Sequence, residues 1–236
     1  MNGRTEILPD PEALARHTAG LVADRLAGSS GPVAVALSGG STPKRLFELL
    51  AEPEHRDRLP WQRIHWFWGD ERFVPPDHPD SNYRMARLAL FAKVPAQNLH
   101  PVPTTGTTPE AAAERYAAEL ARFYGADTLD PGRPLFLINL LGLGEDGHTA
   151  SLFPGVAALT ERERWVVPVI GAKPEPRISL TFPVLNASAS VIFLAAGDKK
   201  RPVLDRLEAG EDLPAAHIKP SGELLWLIDR AAAGAK

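Results

Sequence analysis

The 236-residue chain is 44% hydrophobic, and its 26 basic and 29 acidic residues leave a net charge of −3. Such a chain can bury a core without staples, and its evenly spread charge lacks the basic patch that nucleic acid or an anionic membrane calls for. With no cysteine, disulfides, thiolate metal sites and thiol nucleophiles are excluded together. Neither a signal-peptide core nor an apolar run of the ~18 residues needed to span a membrane is present, so a cytoplasmic setting is the default expectation.

From the N-terminus, Asp10 and Pro11 followed by Leu14, Leu21, Val22 and Leu26 predict a capped helix over 10–27. The apolar runs "VAVAL" (33–37) and "IHWFW" (64–68) predict buried strands, followed by helices over 43–51 and 81–91. The stretch "PVPTTGTTP" (101–109) reads as a surface loop, because a helix over 109–124 starts at Pro109 and runs through Ala111, Tyr116, Leu120 and Phe123. "LFLINLL" (135–141), "ISLTF" (178–182), "VIFLAA" (191–196) and "ELLWLI" (223–228) continue the strands, with a helix over 199–209. Asn139 interrupts one of these runs for no reason visible at this level. Runs without alternation imply strands buried on both faces. Alternating with helices and without an internal repeat, they predict a three-layer αβα sandwich around a mostly parallel, Rossmann-like sheet, as a single α/β domain over 1–236.

In open α/β sheets ligands bind outside the carboxyl ends of the strands. After the first predicted strand, "LSGGSTPKRLF" supplies Gly39 and Gly40 for a tight turn, Ser41 or Thr42 as a cap, and Pro43 for a first helical position. That turn either aims free N–H groups at an anion or is only a capped connection, and it is not a Walker A loop. After the second, "WGDERF" sets Asp70, Glu71 and Arg72 side by side. This triplet is either a solvated loop with a local ion pair or a site in which Arg72 clamps an anion.

"LLGLGEDGHTASLFPG" (140–155) has the G-x-G-x-x-G spacing of a dinucleotide loop. Pro154 and Gly155 leave room for only about two helical turns, and no acidic residue ends the next apolar run, so a nicotinamide site is disfavoured. What remains is Asp146 and His148 on a glycine-rich turn. A neutral imidazole there can take a proton from water, while Asp146 either fixes its tautomer or serves the loop backbone. The other six histidines read as ordinary surface or core groups. Further on, "GDKK" places Lys199 and Lys200 at a helix start, where cations oppose the macrodipole unless an anion shares the site. Arg177 stands at the front of its strand, where the strand-end rule does not predict a ligand.

Together, "SGGSTP" (38–43), "FWGDERFVP" with "SNYRMA" (67–75, 81–86), "LGLGEDGHTASLFPG" (141–155) and "RISLTFPVLNAS" with "GDKK" (177–188, 197–200) resemble the 6-phosphogluconolactonase family of sugar-lactone hydrolases. The resemblance spans about residues 30–205, and four segments in register are far more specific than any one. It implies that His148 is the general base activating water against C1 of the δ-lactone, with Asp146 supporting its loop. It also implies that Gly39, Gly40, Ser41 and Thr42 offer donors to the substrate, and that Arg72, Arg177 and Lys200 hold the phosphate, with Asp70 beside them. It implies no cofactor and no metal, and the histidines lack metal-ligand spacing. The expected partner is a small phosphorylated sugar lactone, with no nucleic acid and no membrane; oligomeric state is left open, a monomer included.

The wider superfamily contains hexosamine-6-phosphate deaminases, in which the D-G-H loop continues to a catalytic Glu. The corresponding position here is Phe153, which favours a hydrolase over a deaminase. A non-catalytic sugar-phosphate sensor fused to a DNA-binding module is a further alternative, but the ~30 residues before "VAVAL" hold only one predicted helix, too little for a helix-turn-helix.

Overall fold

Parallel pairing organises the protein, whose computed structural model describes residues 2–235. Ten strands form: β1 (Arg4–Leu8), β2 (Val33–Leu37), β3 (Ile64–Trp68), β4 (Asp70–Arg72), β5 (Asn98–Leu99), β6 (Ile138–Gly142), β7 (Val166–Val169), β8 (Arg177–Leu180), β9 (Ser190–Ala195) and β10 (Glu223–Asp229). The α-helices are α1 (Pro11–Ala27), α2 (Ser41–Leu50), α3 (Pro53–Arg56), α4 (Asn82–Ala89), α5 (Pro109–Tyr124), α6 (Phe182–Asn186), α7 (Arg201–Glu208) and α8 (Arg230–Ala233). Seven strands pair in the order β1-β10-β9-β6-β2-β3-β5, all parallel, in a helix-flanked α/β sheet of the expected class.

The chain leaves β2 toward β3 and β5 on one side, and resumes at β6 toward β9 and β10 on the other. The order therefore reverses between β2 and β6, which opens a crevice at their carboxyl ends.

The helix signals hold where capping chemistry is explicit. Asp10 accepts from Ala13 N–H at 2.8 Å to start α1, and Thr108 does the same for α5. The expected helix over 43–51 begins earlier, at Ser41, with Gly40 at the cap position and no side-chain cap, so neither Ser41 nor Thr42 caps it and Pro43 is its third residue. The strand expected over 135–141 starts at Ile138, since Phe136 makes only an isolated bridge to Ser188.

The larger correction concerns "ISLTF". Residues Arg177–Leu180 do not join the parallel sheet but lie antiparallel between β4 and β7 in a second, three-stranded sheet. A short apolar run is equally buried in either setting, so its pattern carries no strand direction. Four strands escape sequence reading for related reasons. β1 is a largely exposed edge strand carrying Arg4 and Glu6, β4 is wholly charged or acidic, β5 has two residues, and β7 contains Pro168.

The core gathers the apolar faces of the parallel strands, with Phe193 and Trp226, register partners on β9 and β10, stacked at 3.9 Å. Asn139 is fully buried in β6 and donates to Leu185 C=O at 3.1 Å and Ser188 Oγ at 3.4 Å. It ties the turn after α6 to the sheet, which accounts for a polar residue in that strand.

One buried contact sets the end of β3. The Tyr116 hydroxyl accepts from Trp68 N–H at 2.7 Å and donates to Trp68 C=O at 3.0 Å, tying α5 to the last residue of the strand. Burial and the neighbouring acids hold its phenol far above the ordinary pKa, so it stays a donor. Tyr116→Phe leaves both backbone groups without that partner and is expected to lower unfolding free energy by about 1–3 kcal/mol, read from urea denaturation.

Candidate active site

Strand β3 passes through Gly69 into β4, changing sheets: Gly69 N–H donates to Leu37 C=O, and Leu180 N–H to Gly69 C=O. The charged triplet is therefore a strand and not a solvated loop. Asp70 and Arg72 turn toward the cleft, whereas Glu71 is 2% exposed. The Glu71 carboxylate accepts from the backbone N–H groups of Arg72 (2.8 Å), Asn82 (2.7 Å) and Tyr83 (2.7 Å), and from Ser81 Oγ at 3.2 Å. Burial pushes its pKa up, and the three N–H donors oppose that shift. This acid closes the first turn of α4 onto β4. It positions Asn82, whose Nδ2 donates to Asp70 C=O at 2.9 Å.

Asn82 lies directly under the turn after β2. A Cβ on Gly39 would stand 2.0 Å from Asn82 Oδ1, so only glycine allows this approach. Gly40 at φ +114° then turns the chain into α2. No side chain caps the start of α2, and its first residues, Ser41 and Thr42, line the cleft.

On the second sheet, Arg72 and Arg177 are register partners across β4 and β8. Like charges directly opposite one another repel. Arg72 donates to Asp80 C=O at 2.7 Å, and Arg177 to Glu175 C=O at 3.1 Å with the Glu175 carboxylate 3.6 Å away. Burial first and the Arg72 charge second press the Arg177 pKa down, while Asp70 and Glu175 oppose the shift. Because β8 runs antiparallel to β4, the front of β8 lies beside the end of β4, which explains how a residue at a strand's start reaches the cleft.

Between β6 and β7 the chain makes no α-helix. Thr149 Oγ1 returns to Gly142 C=O at 2.9 Å, Gly144 N–H donates to His148 C=O at 2.8 Å, and Gly147 turns at φ +89° against Leu213. Asp146 Oδ1 accepts both the backbone N–H of His148 (3.1 Å) and its ring Nδ1 (2.5 Å), so it serves loop and imidazole together. Since a carboxylate only accepts, the ring proton is assigned to Nδ1 and the lone pair to Nε2. Burial opposes ionisation of Asp146, but its bonds from the His148 ring and backbone outweigh this and leave the acid below its ordinary pKa. Beyond the pair, Ala150 adopts φ +48°, a conformation costing roughly 1–2 kcal/mol outside glycine. Ser151 holds it there, donating to Asp70 Oδ2 at 2.6 Å from Oγ and to Ser179 Oγ at 3.2 Å from its backbone.

A cleft of about 360 Å³ brings together Gly39, Gly40, Ser41, Thr42, Asp70, Arg72, His148, Arg177 and Lys200. Of the residues expected from sequence, only Asp146 is absent from its wall. It stands behind His148 and faces an adjoining pocket. Phe153 lines the cleft with its ring centroid 4.5 Å from that of His148. Sequence reading missed Asn82, Ser151 and Lys173 on the same wall, although Asn82 stands in the quoted "SNYRMA" segment.

The chain matches the sequence profile of the family described as glucosamine-6-phosphate isomerases/6-phosphogluconolactonase over residues 9–226, and it belongs to that family. It is 46% identical to a 6-phosphogluconolactonase of Nostoc sp., over 100% of this chain and 99% of that protein. It is 49% identical to a 6-phosphogluconolactonase of Synechocystis sp., over 84% of this chain and 82% of that one. Among solved structures, a 6-phosphogluconolactonase from Trypanosoma cruzi superposes with a TM-score of 0.85 at 29% identity, over 99% of this chain and 96% of that chain.

Gly144 offers a direct test of the loop. A Cβ there would lie 2.0 Å from His148 Nδ1 and 2.7 Å from Asp146 Oδ1, where neither group can yield without breaking their bond. Gly144→Ala is expected to keep the fold by circular dichroism while the His148 ring loses its carboxylate contact. Nitrogen chemical shifts of the imidazole in the variant should lose the Nδ1–H···Asp146 pattern of the wild type.

Proposed function

From membership of this family, we propose that the protein is a 6-phosphogluconolactonase: a single α/β enzyme that hydrolyses 6-phospho-D-glucono-1,5-lactone to 6-phospho-D-gluconate, the second step of the oxidative pentose phosphate pathway, in the cytoplasm. The observation that carries the reading is one cleft in which an Asp146-oriented imidazole stands with the facing pair Arg72 and Arg177. A base for water and a seat for a phosphate dianion are what this substrate demands.

His148 Nε2 takes a proton from water as the water oxygen attacks C1, and the carbonyl electrons move to the carbonyl oxygen. Backbone and hydroxyl donors of residues 39–42 stand close enough to share the cleft with that charge. Collapse of the tetrahedral intermediate breaks the bond from C1 to the ring oxygen, which leaves with the proton carried by His148. The new carboxylic acid then loses its proton to solvent. Asp146 keeps the imidazole in the Nε2-basic tautomer and steadies the imidazolium. Arg72, Arg177 and Lys200 hold the phosphate, and Asp70, whose charge acts on Arg177, accepts from Ser151 Oγ. An ester-like carbonyl is electrophilic enough for this route with the chain's own residues. Phe153, in place of a carboxylate, supports hydrolysis over the deaminase and isomerase chemistry of the same family.

The deciding assay compares turnover of 6-phosphoglucono-δ-lactone with turnover of glucosamine 6-phosphate, at low temperature and mildly acidic pH with a no-enzyme control for spontaneous opening. The expected result is hydrolysis of the lactone only; deamination of the amino sugar would overturn the reading. His148→Ala should lower kcat by roughly 10²–10⁴ with little change in KM. Arg177→Ala should raise KM by about 10- to 100-fold with a smaller effect on kcat, as expected for loss of a charge-assisted contact to phosphate.

A further inference from the structure

We propose that Asp229, at the far end of the chain, is a positioning residue for Lys200, fixing the height at which that ammonium meets the substrate phosphate; this rests on the lactonase reading above. Asp229 ends β10 and is 1% exposed. Both of its oxygens accept from Gly197 N–H, at 3.0 and 3.1 Å, and Oδ1 also accepts from Ala232 N–H at 2.8 Å. Among the described residues no Lys, Arg or His forms an ion pair with it. A buried carboxylate is costly unless its lone pairs are met, and here backbone N–H groups alone meet them.

The geometry shows what this carboxylate holds. β9 and β10 pair in register up to Ala195 and Ile228, so Asp229 stands beside the point where the chain leaves β9. There Gly197 adopts φ +92° and its C=O accepts from Lys200 N–H at 3.0 Å, closing the tight turn Asp198–Lys200. Lys200 lines the cleft at the last residue of that turn, and α8, capped by the same Asp229, packs against the turn from behind. The backbone of Lys200 is thus referenced to Asp229 through two hydrogen-bonded links. No other described side chain bonds Gly197 N–H. With the side chain free to sample its rotamers, the fixed backbone sets the point from which the Lys200 ammonium reaches into the cleft.

The two roles of Asp229 separate by substitution. Asp229→Ser keeps an N-cap acceptor for Ala232 but is too short to span to Gly197; Asp229→Asn keeps the length with one acceptor oxygen. Steady-state kinetics with the lactone and calorimetric titration with 6-phosphogluconate should show Asp229→Ser raising both KM and Kd by roughly tenfold, with kcat within about twofold of wild type. In a Lys200→Ala background the same substitution should add less than about twofold to KM or Kd, because residues acting through one another are not additive. Asp229→Asn should fall between Asp229→Ser and wild type, and it serves as the variant of record if Asp229→Ser does not fold. Unchanged KM and Kd in the single variant, or a full tenfold effect persisting without Lys200, overturns the proposal. A wild type that binds 6-phosphogluconate without hydrolysing the lactone removes the lactonase reading alone, with Asp229 still judged on Kd. A wild type that neither binds nor hydrolyses removes both.

Discussion

All seven strands of the main sheet run the same way, so the carboxyl ends of β2, β3, β6, β9 and β10 meet along one edge. Each strand leaves the ladder there, and each departing turn exposes backbone groups that must find partners. The reversal of strand order between β2 and β6 keeps two of those turns from being covered by a shared crossover. The donor-rich turn at residues 39–42 and the imidazole at His148 are the contents of that gap. The second sheet is a consequence of the same geometry: Gly69 lets β3 run past the edge as β4, which recruits β8 and β7 and so supplies a wall carrying Arg72 and Arg177.

The acids around this edge divide the work in a consistent way. Glu71, Asp146 and Asp229 all turn at least one oxygen to backbone N–H groups at turns or helix starts. None of the three neutralises a cleft cation. Arg72 is left bonded to a backbone carbonyl, and Arg177 reaches only the longer contact to Glu175. Had these carboxylates paired with the arginines, the turns would lack their anchors. By bonding backbone they give a fixed scaffold and leave Arg72 and Arg177 without a close carboxylate partner of their own.

Much of this was legible in sequence because it rests on local chemistry. Asp10 with Pro11 and Thr108 with Pro109 announce their helices, and the runs at 33–37 and 64–68 are strands over those very residues. Gly39, Asp146 and His148 were recognisable from their motifs before their roles could be assigned. What escaped depends on contacts between distant segments. Glu71 looks like one of three solvated charges until α4 is folded over it, and Arg177 looks misplaced until its strand is known to be antiparallel. Asp229 carries no motif, since its meaning lies in Gly197, 32 positions earlier. Pattern reading finds residues whose neighbours in sequence are their neighbours in space; it anticipated the parallel main sheet, and the antiparallel second sheet was invisible to it.

The surroundings of His148 also bear on which way its proton moves. On one side of the ring Asp146 accepts from Nδ1–H at 2.5 Å, and against the ring lies Phe153 at 4.5 Å, itself only 7% exposed. An apolar ring neither donates to nor accepts from Nε2, so it does not compete with water for that lone pair. A carboxylate in the Phe153 position would add a second negative charge beside Asp146 and a second acceptor for the imidazolium. It would favour the charged ring, so that less of it stands neutral and ready to take a proton from water. In the proposed mechanism, phenylalanine there leaves the nitrogen opposite Asp146 its lone pair for a single exchange with water and the leaving ring oxygen. Hydrolysis of a lactone needs that one exchange, whereas the deaminases of the wider superfamily use a glutamate at the position where this chain has Phe153.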